Sequence, residues 1–137
     1  VTRGKRAWWL LALITGVSLP VSGCSTGVAA KCKKAFAAAA MSVDGVASAT
    51  WDCSEQFGGG WQRGDVVVEA ADKAAAIVVM EAVVRAFAAS PDIEGRWSTP
   101  QECKTRDRSI IVSAGDLGFR AVPTVKEVRE RYGITPG

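Results

Sequence analysis

The chain has 137 residues with 17 basic and 14 acidic side chains, no histidine and a formal charge of +3. Three of the cations, Arg3, Lys5 and Arg6, fall in the first 23 residues, which hold no anion, so the remainder balances 14 basic against 14 acidic groups. No basic excess is left to neutralise phosphates, which argues against nucleic-acid binding, and Ser-His-Asp or Cys-His chemistry is excluded without an imidazole.

Behind Arg3, Lys5 and Arg6, residues Ala7 to Val17 form an apolar run of eleven. This suits the hydrophobic core of a signal peptide and falls short of the roughly 20 residues needed to span a bilayer. Ser18 and Pro20 interrupt the run, and Val21, Ser22, Gly23 and Cys24 follow. A small-residue stretch ending in cysteine, placed there, resembles the lipobox of bacterial lipoproteins. That resemblance implies cleavage before Cys24 and diacylglycerol on its thiol. Residues 1–23 are then leader, and the mature protein is held on the extracytoplasmic face of the cell membrane. Ordinary secretion, with Cys24 in a disulfide, is the alternative.

Val1 fits a non-AUG start codon. With 22 alanines and neither histidine nor asparagine, it points to a GC-rich genome. The whole is similar to small lipoproteins of actinobacterial type.

About 114 residues remain, enough for one core and not for two. Residues 24–30 read as a short tether and 31–137 as a single domain. Lys31–Met41 is a predicted helix: it contains an alanine run, Phe36 and Met41 as anchors, and three lysines early on. Val46–Cys53 alternates and carries Trp51, which predicts a strand. Gly58, Gly59 and Gly60 lack the Gly-Lys-Ser/Thr continuation of a phosphate loop, so they read as a hairpin loop. Trp61–Ala70 contains Val66, Val67 and Val68 and is the expected central strand.

Asp72 is placed to cap the next helix. There Ala76, Val79, Met80, Val83, Val84 and Phe87 recur at helical spacing and should cover the sheet. Ser90 and Pro91 end it. Ile93–Ser98 and Ser109–Ala114 are expected strands, joined by a polar loop. Thr124 and Glu127 form a capping box for a last short helix, with Val125, Val128 and Tyr132 on one face and Gly133 at its end. The tail Gly118–Gly137, with the core PTVKEVRERYGI, resembles the C-terminal segment of small actinobacterial lipoproteins, a label that implies no activity.

Two helix-strand-strand units therefore recur. They predict an α+β two-layer sandwich, a four-stranded, largely antiparallel sheet with helices on one face, in the order αββαββα. A lipid-binding domain of BON type also uses such units, and the pattern resembles it.

Cys32, Cys53 and Cys103 remain in an oxidising compartment, where one intramolecular bridge can form. If each element reverses its predecessor, Cys32 and Cys53 lie at one end and Cys103, in the second hairpin, at the other. A Cα separation beyond about 7 Å forbids bridging, so Cys32–Cys53 is favoured. Cys53–Cys103 is the alternative should the hairpin loops meet. No Cys-x-x-Cys pair or histidine is present to complete a zinc site, and no cofactor is implied.

For function, the reading is a monomeric binding or assembly module acting on an envelope protein or ligand. Trp51, Trp61 and Trp97 belong in or beside strands. Core packing is their default role, and an aromatic platform on the open sheet face the functional one. Asp52 with Glu55, or Asp65 with Glu69, could pair as acid and base, which defines the alternative of a small envelope hydrolase, although such carboxylates more often keep hairpin edges soluble. Lys31, Lys33 and Lys34 follow Cys24 closely enough to touch anionic headgroups, or else form a solvated helix face.

Overall fold

A computed structural model describes residues 26–55 and 60–137. The elements run α1 (Thr26–Met41), β1 (Val46–Ser54), β2 (Trp61–Val68), α2 (Lys73–Ala89), β3 (Glu102–Thr105), β4 (Ile111–Ser113), a 3-10 turn (Ala114–Leu117) and α3 (Val125–Tyr132). The sheet order is β1-β2-β3-β4. The hairpins β1–β2 and β3–β4 are antiparallel, and β2–β3 is parallel. A parallel pair needs a long crossover, and α2 supplies it. This is the expected α+β sandwich with its helices on one side.

The core-facing row of the sheet holds Trp51 and Cys53, Val66 and Val68, Cys103 and Thr105, and Val112, all buried. A β-bulge between Val46 and Ser48 matters here. It inserts one residue, so that Val46 packs on the same core as Ala49 despite its odd, five-residue spacing from Trp51. Gly45, at φ +92, makes the preceding turn, and its carbonyl accepts from the Glu69 N–H at 2.7 Å.

Trp51 pairs across the hairpin with Gly64. Its ring lies flat over that glycine: a Cβ there would stand 2.3 Å from Trp51 Cη2. Phe36 of α1 stacks on the other face of the indole, at 4.6 Å and 5°, and Phe87 of α2 meets its edge at 5.3 Å. One side chain thus locks two helices to two strands.

α2 begins as predicted, with the Asp72 carboxylate accepting from the Ala75 N–H. Its buried stripe contains Ala76, Met80, Val83, Val84, Phe87 and also Ala88, while Val79 is half-buried. α3 begins in the Thr124–Glu127 capping box and ends at left-handed Gly133. Two arginines brace it. Arg129 donates to the carbonyls of Ala88, Ser90 and Ile93, placing a cation on the C-terminus of α2. Arg131 donates to Leu117 and Gly118 of the 3-10 turn.

Four expectations need correction. α1 starts at Thr26, so the segment expected as a tether is helical from that residue onward. Ile93–Ser98 is not a strand; beyond one isolated bridge from Ser98 to Thr124 it makes no ladder. Its Gly95 and Trp97 carbonyls instead accept the first N–H groups of α3, from Lys126 and Val125, while Ile93 and Trp97 plug the core. The third strand is Glu102–Thr105, inside the expected polar loop. Only its small Cys103 and Thr105 face inward, and Lys104 faces out to Asp65, so the segment has little apolar signature. The fourth strand, finally, is Ile111–Ser113, shorter than the expected Ser109–Ala114, with Val112 buried and Ile111 on the open face.

Three surface carboxylates hold turns together. Asp107 sits below the usual carboxylate range because the Ser109 N–H and the Thr105 hydroxyl donate to it. The Ser113 N–H, then Lys73, does the same for Asp116, and the Thr124 N–H for Glu127.

Gly64→Ala is expected to destabilise the domain by about 1–3 kcal/mol through overpacking against Trp51. Thermal unfolding should shift down by roughly 4–8 °C per kcal/mol. For pH, carboxylates with lowered folded values contribute fully above their unfolded pKa of about 4 and lose that contribution as the pH falls through the folded values. The melting temperature should therefore be flat above about pH 5 and drop below 4. A D107N/D116N/E127Q variant should show a shallower acid slope in the same scan.

Candidate functional site

Val21, Ser22, Gly23 and Cys24 lie outside the described residues, as do Gly58 and Gly59 of the expected hairpin loop. Where description begins, at Thr26, the chain is already helix, two residues beyond Cys24. Six residues into that helix Cys32 is bonded to Cys53, with Cα atoms 6.3 Å apart. This is the pairing the direction argument favoured, and it fastens the first turns of α1 to the end of β1.

Cys103 is elsewhere, though not in a hairpin loop. It lies within β3, fully buried, beside Val66. Cys53 faces Gln62, four residues back along β2 or about 13 Å, which puts Cys103 out of bridging reach. Burial pushes its thiol up to about 12, with the neighbouring Glu102 charge adding to the shift. A thiolate nucleophile or metal ligand is therefore not available from it at neutral pH.

Of the three tryptophans, Trp51 and Trp97 are core residues and only Trp61 is on the surface, 38% exposed. The three-tryptophan platform does not form. Trp61 opens a different array on the sheet face that carries no helix. Arg63 lies over its ring at 4.8 Å. Beyond it come Asp65, ion-paired to Lys104 at 2.8 Å, and then exposed Ile111 on β4. Asp52 of β1 stands opposite Arg63. The face thus carries alternating charges between two exposed apolar side chains, Trp61 and Ile111.

The expected carboxylate pairs are not brought together. Asp52 lies on the open face, whereas Glu55 bonds Arg96 at 3.2 Å. Asp65 is tied to Lys104, and Glu69 lies four residues farther on, past the end of β2. Among the described residues, no three Cys, Asp or Glu side chains are grouped to hold a metal ion.

Two open grooves flank the sheet. β3 pairs with β2 only over Val66–Val68, so the first half of β2 parts from the Ser98–Glu102 segment. Between them lies a groove of about 500 Å3, lined by Gln62, Arg63, Thr99, Gln101 and Val122 among others. The Gln62 side chain spans it, accepting from the Ser98 N–H at 2.9 Å. The second groove, of about 540 Å3, lies between the end of β2 and the β3–β4 turn, where Glu69, Arg106, Asp107 and Ser109 line it. Arg108 in that turn adopts φ 61, a left-handed conformation uncommon outside glycine and asparagine.

Lys31, Lys33 and Lys34 are all exposed on α1. No described helix is long and apolar enough to cross a membrane. Comparison of the chain with protein-family profiles, curated proteins and solved structures gives no match.

Cys103 should resist alkylation in the folded protein and react stoichiometrically once denaturant unfolds it. Mass spectrometry after iodoacetamide treatment reads both states, and rapid labelling of the native protein would contradict its placement.

Proposed function

We propose that this chain is a lipid-anchored cell-envelope protein. Cys24 carries diacylglycerol and becomes the first mature residue, and the α+β domain acts as a binding or assembly module on the extracytoplasmic face of the membrane. The observation that carries this reading is the Cys32–Cys53 disulfide. Such a bond persists in oxidising extracytoplasmic compartments and is rare in the cytosol, so it supports export independently of the leader and the Val21–Cys24 quartet. Two buried acyl chains hold a protein stably, where one holds it marginally.

The uncovered sheet face is the surface offered to the partner. Trp61 with Arg63 provides a large, partly rigid anchor of the kind enriched at binding hot spots. The Asp65–Lys104 pair and Asp52 surround it with polar groups. Trp61→Ala should therefore weaken partner capture without loss of fold, since Trp61 is outside the core.

Cys24→Ala should release the protein from membranes into the soluble fraction, and intact-mass analysis of the parent should show loss of residues 1–23 with a diacylglycerol increment. Retention of the variant in membranes, or a parent mass that includes the leader, would overturn the reading.

A further inference from the structure

α1 carries three lysines and no acidic residue. Every aspartate and glutamate of the chain falls among the described residues, yet none pairs with Lys31, Lys33 or Lys34. The other two helices each carry acidic residues and an i,i+4 ion pair, Arg85 with Glu81 on α2 and Lys126 with Glu130 on α3. Helical spacing puts Lys31, Lys34, Ala38 and Met41 on one side of α1, opposite buried Cys32, Phe36 and Ala40. Met41 is 50% exposed, and the alanines between these groups leave the face flat.

This face is close to the proposed anchor. At 1.5 Å per residue, Lys31 and Lys34 lie about 7.5 and 12 Å along the axis from Thr26. The two residues back to Cys24 add at most about 7 Å. The bond from Cys32 to Cys53 holds these turns on the sheet, so the domain follows the direction of the helix.

We infer that α1 lies along the membrane surface, with Lys31 and Lys34 seated on the phosphate groups of anionic lipid headgroups. The open sheet face is thereby held at a fixed orientation toward its partner. The inference rests on Cys24 being the anchored residue, and charge complementarity commits the face to an anionic bilayer. A basic side chain near such a surface gains about fivefold in affinity, and the gain is screened within a Debye length.

The test uses the full acylated protein in vesicles of phosphatidylcholine alone or with phosphatidylglycerol, and follows acetylation of individual lysines by mass spectrometry. Lys31 and Lys34 should react at least about fivefold more slowly in the anionic vesicles, with Lys126 on α3 unchanged and the protection lost in 1 M salt. In a K31Q/K34Q variant, Lys33 should react alike in both vesicles. Equal rates at Lys31 and Lys34 in the two vesicles, or equal slowing at Lys126, would overturn the inference while leaving the anchor intact. Absence of the acyl mass on Cys24 in the same sample would overturn the anchoring, and this inference with it.

Discussion

Trp51 has no room to lie where it does unless position 64 lacks a side chain, and its ring has no cover unless Phe36 and Phe87 arrive from two helices. The mutual fit of these four residues sets the distance between the layers and the register of the first hairpin. A pair of strands alone is marginal in water. Here the hairpin is held by an aromatic stack on its inner face, with the Cys32–Cys53 bond one helical turn away from Phe36. In the chain-entropy model a loop of this length contributes about 3 kcal/mol, a large part of the net stability of a small domain. α1 is thus part of the core from its first turns, rather than an appendage to it.

The second half of the domain is held differently. β3 and β4 are short, and α3 has eight residues, too few for a helix to persist without tertiary support. Carbonyls in the Ile93–Ser98 segment satisfy the start of α3, and Arg129 returns the service at the end of α2. Hydrogen bonds to a charged donor are stronger than neutral ones, so these contacts offset the modest apolar area that the short elements bury. The cost is that a segment with strand-like composition gives its hydrogen bonds to a helix terminus.

That exchange explains where sequence reasoning succeeded and where it did not. Elements whose signal is local were legible: the Asp72 and Thr124 caps, the Gly133 stop, the valine strand and the stripe from Ala76 to Phe87. The disulfide was legible too, because alternating direction places Cys32 and Cys53 at one end. Glu102–Thr105 was not, since its inward residues are a cysteine and a threonine and one of its two partners, β2, lies more than thirty residues away. Ile93–Ser98 misled because Ile93 and Trp97 are buried for packing reasons that owe nothing to a ladder. The Trp61–Arg63 array could be suspected only as one of three tryptophans; which of them faced outward depended on the register with β1.

The functional reading joins these facts at the N-terminal end. A lipid on Cys24 would act on a helix that is covalently tied to the sheet, so anchoring and orientation become one property of α1. The most direct measurement is native-state hydrogen exchange with the Cys32–Cys53 bond intact. The account predicts that amides from Lys34 to Ala40 exchange as slowly as those of Val66 and Val68, through global unfolding alone. Exchange of α1 orders of magnitude faster than β2 under those conditions would contradict it, because the helix would then be opening independently of the core.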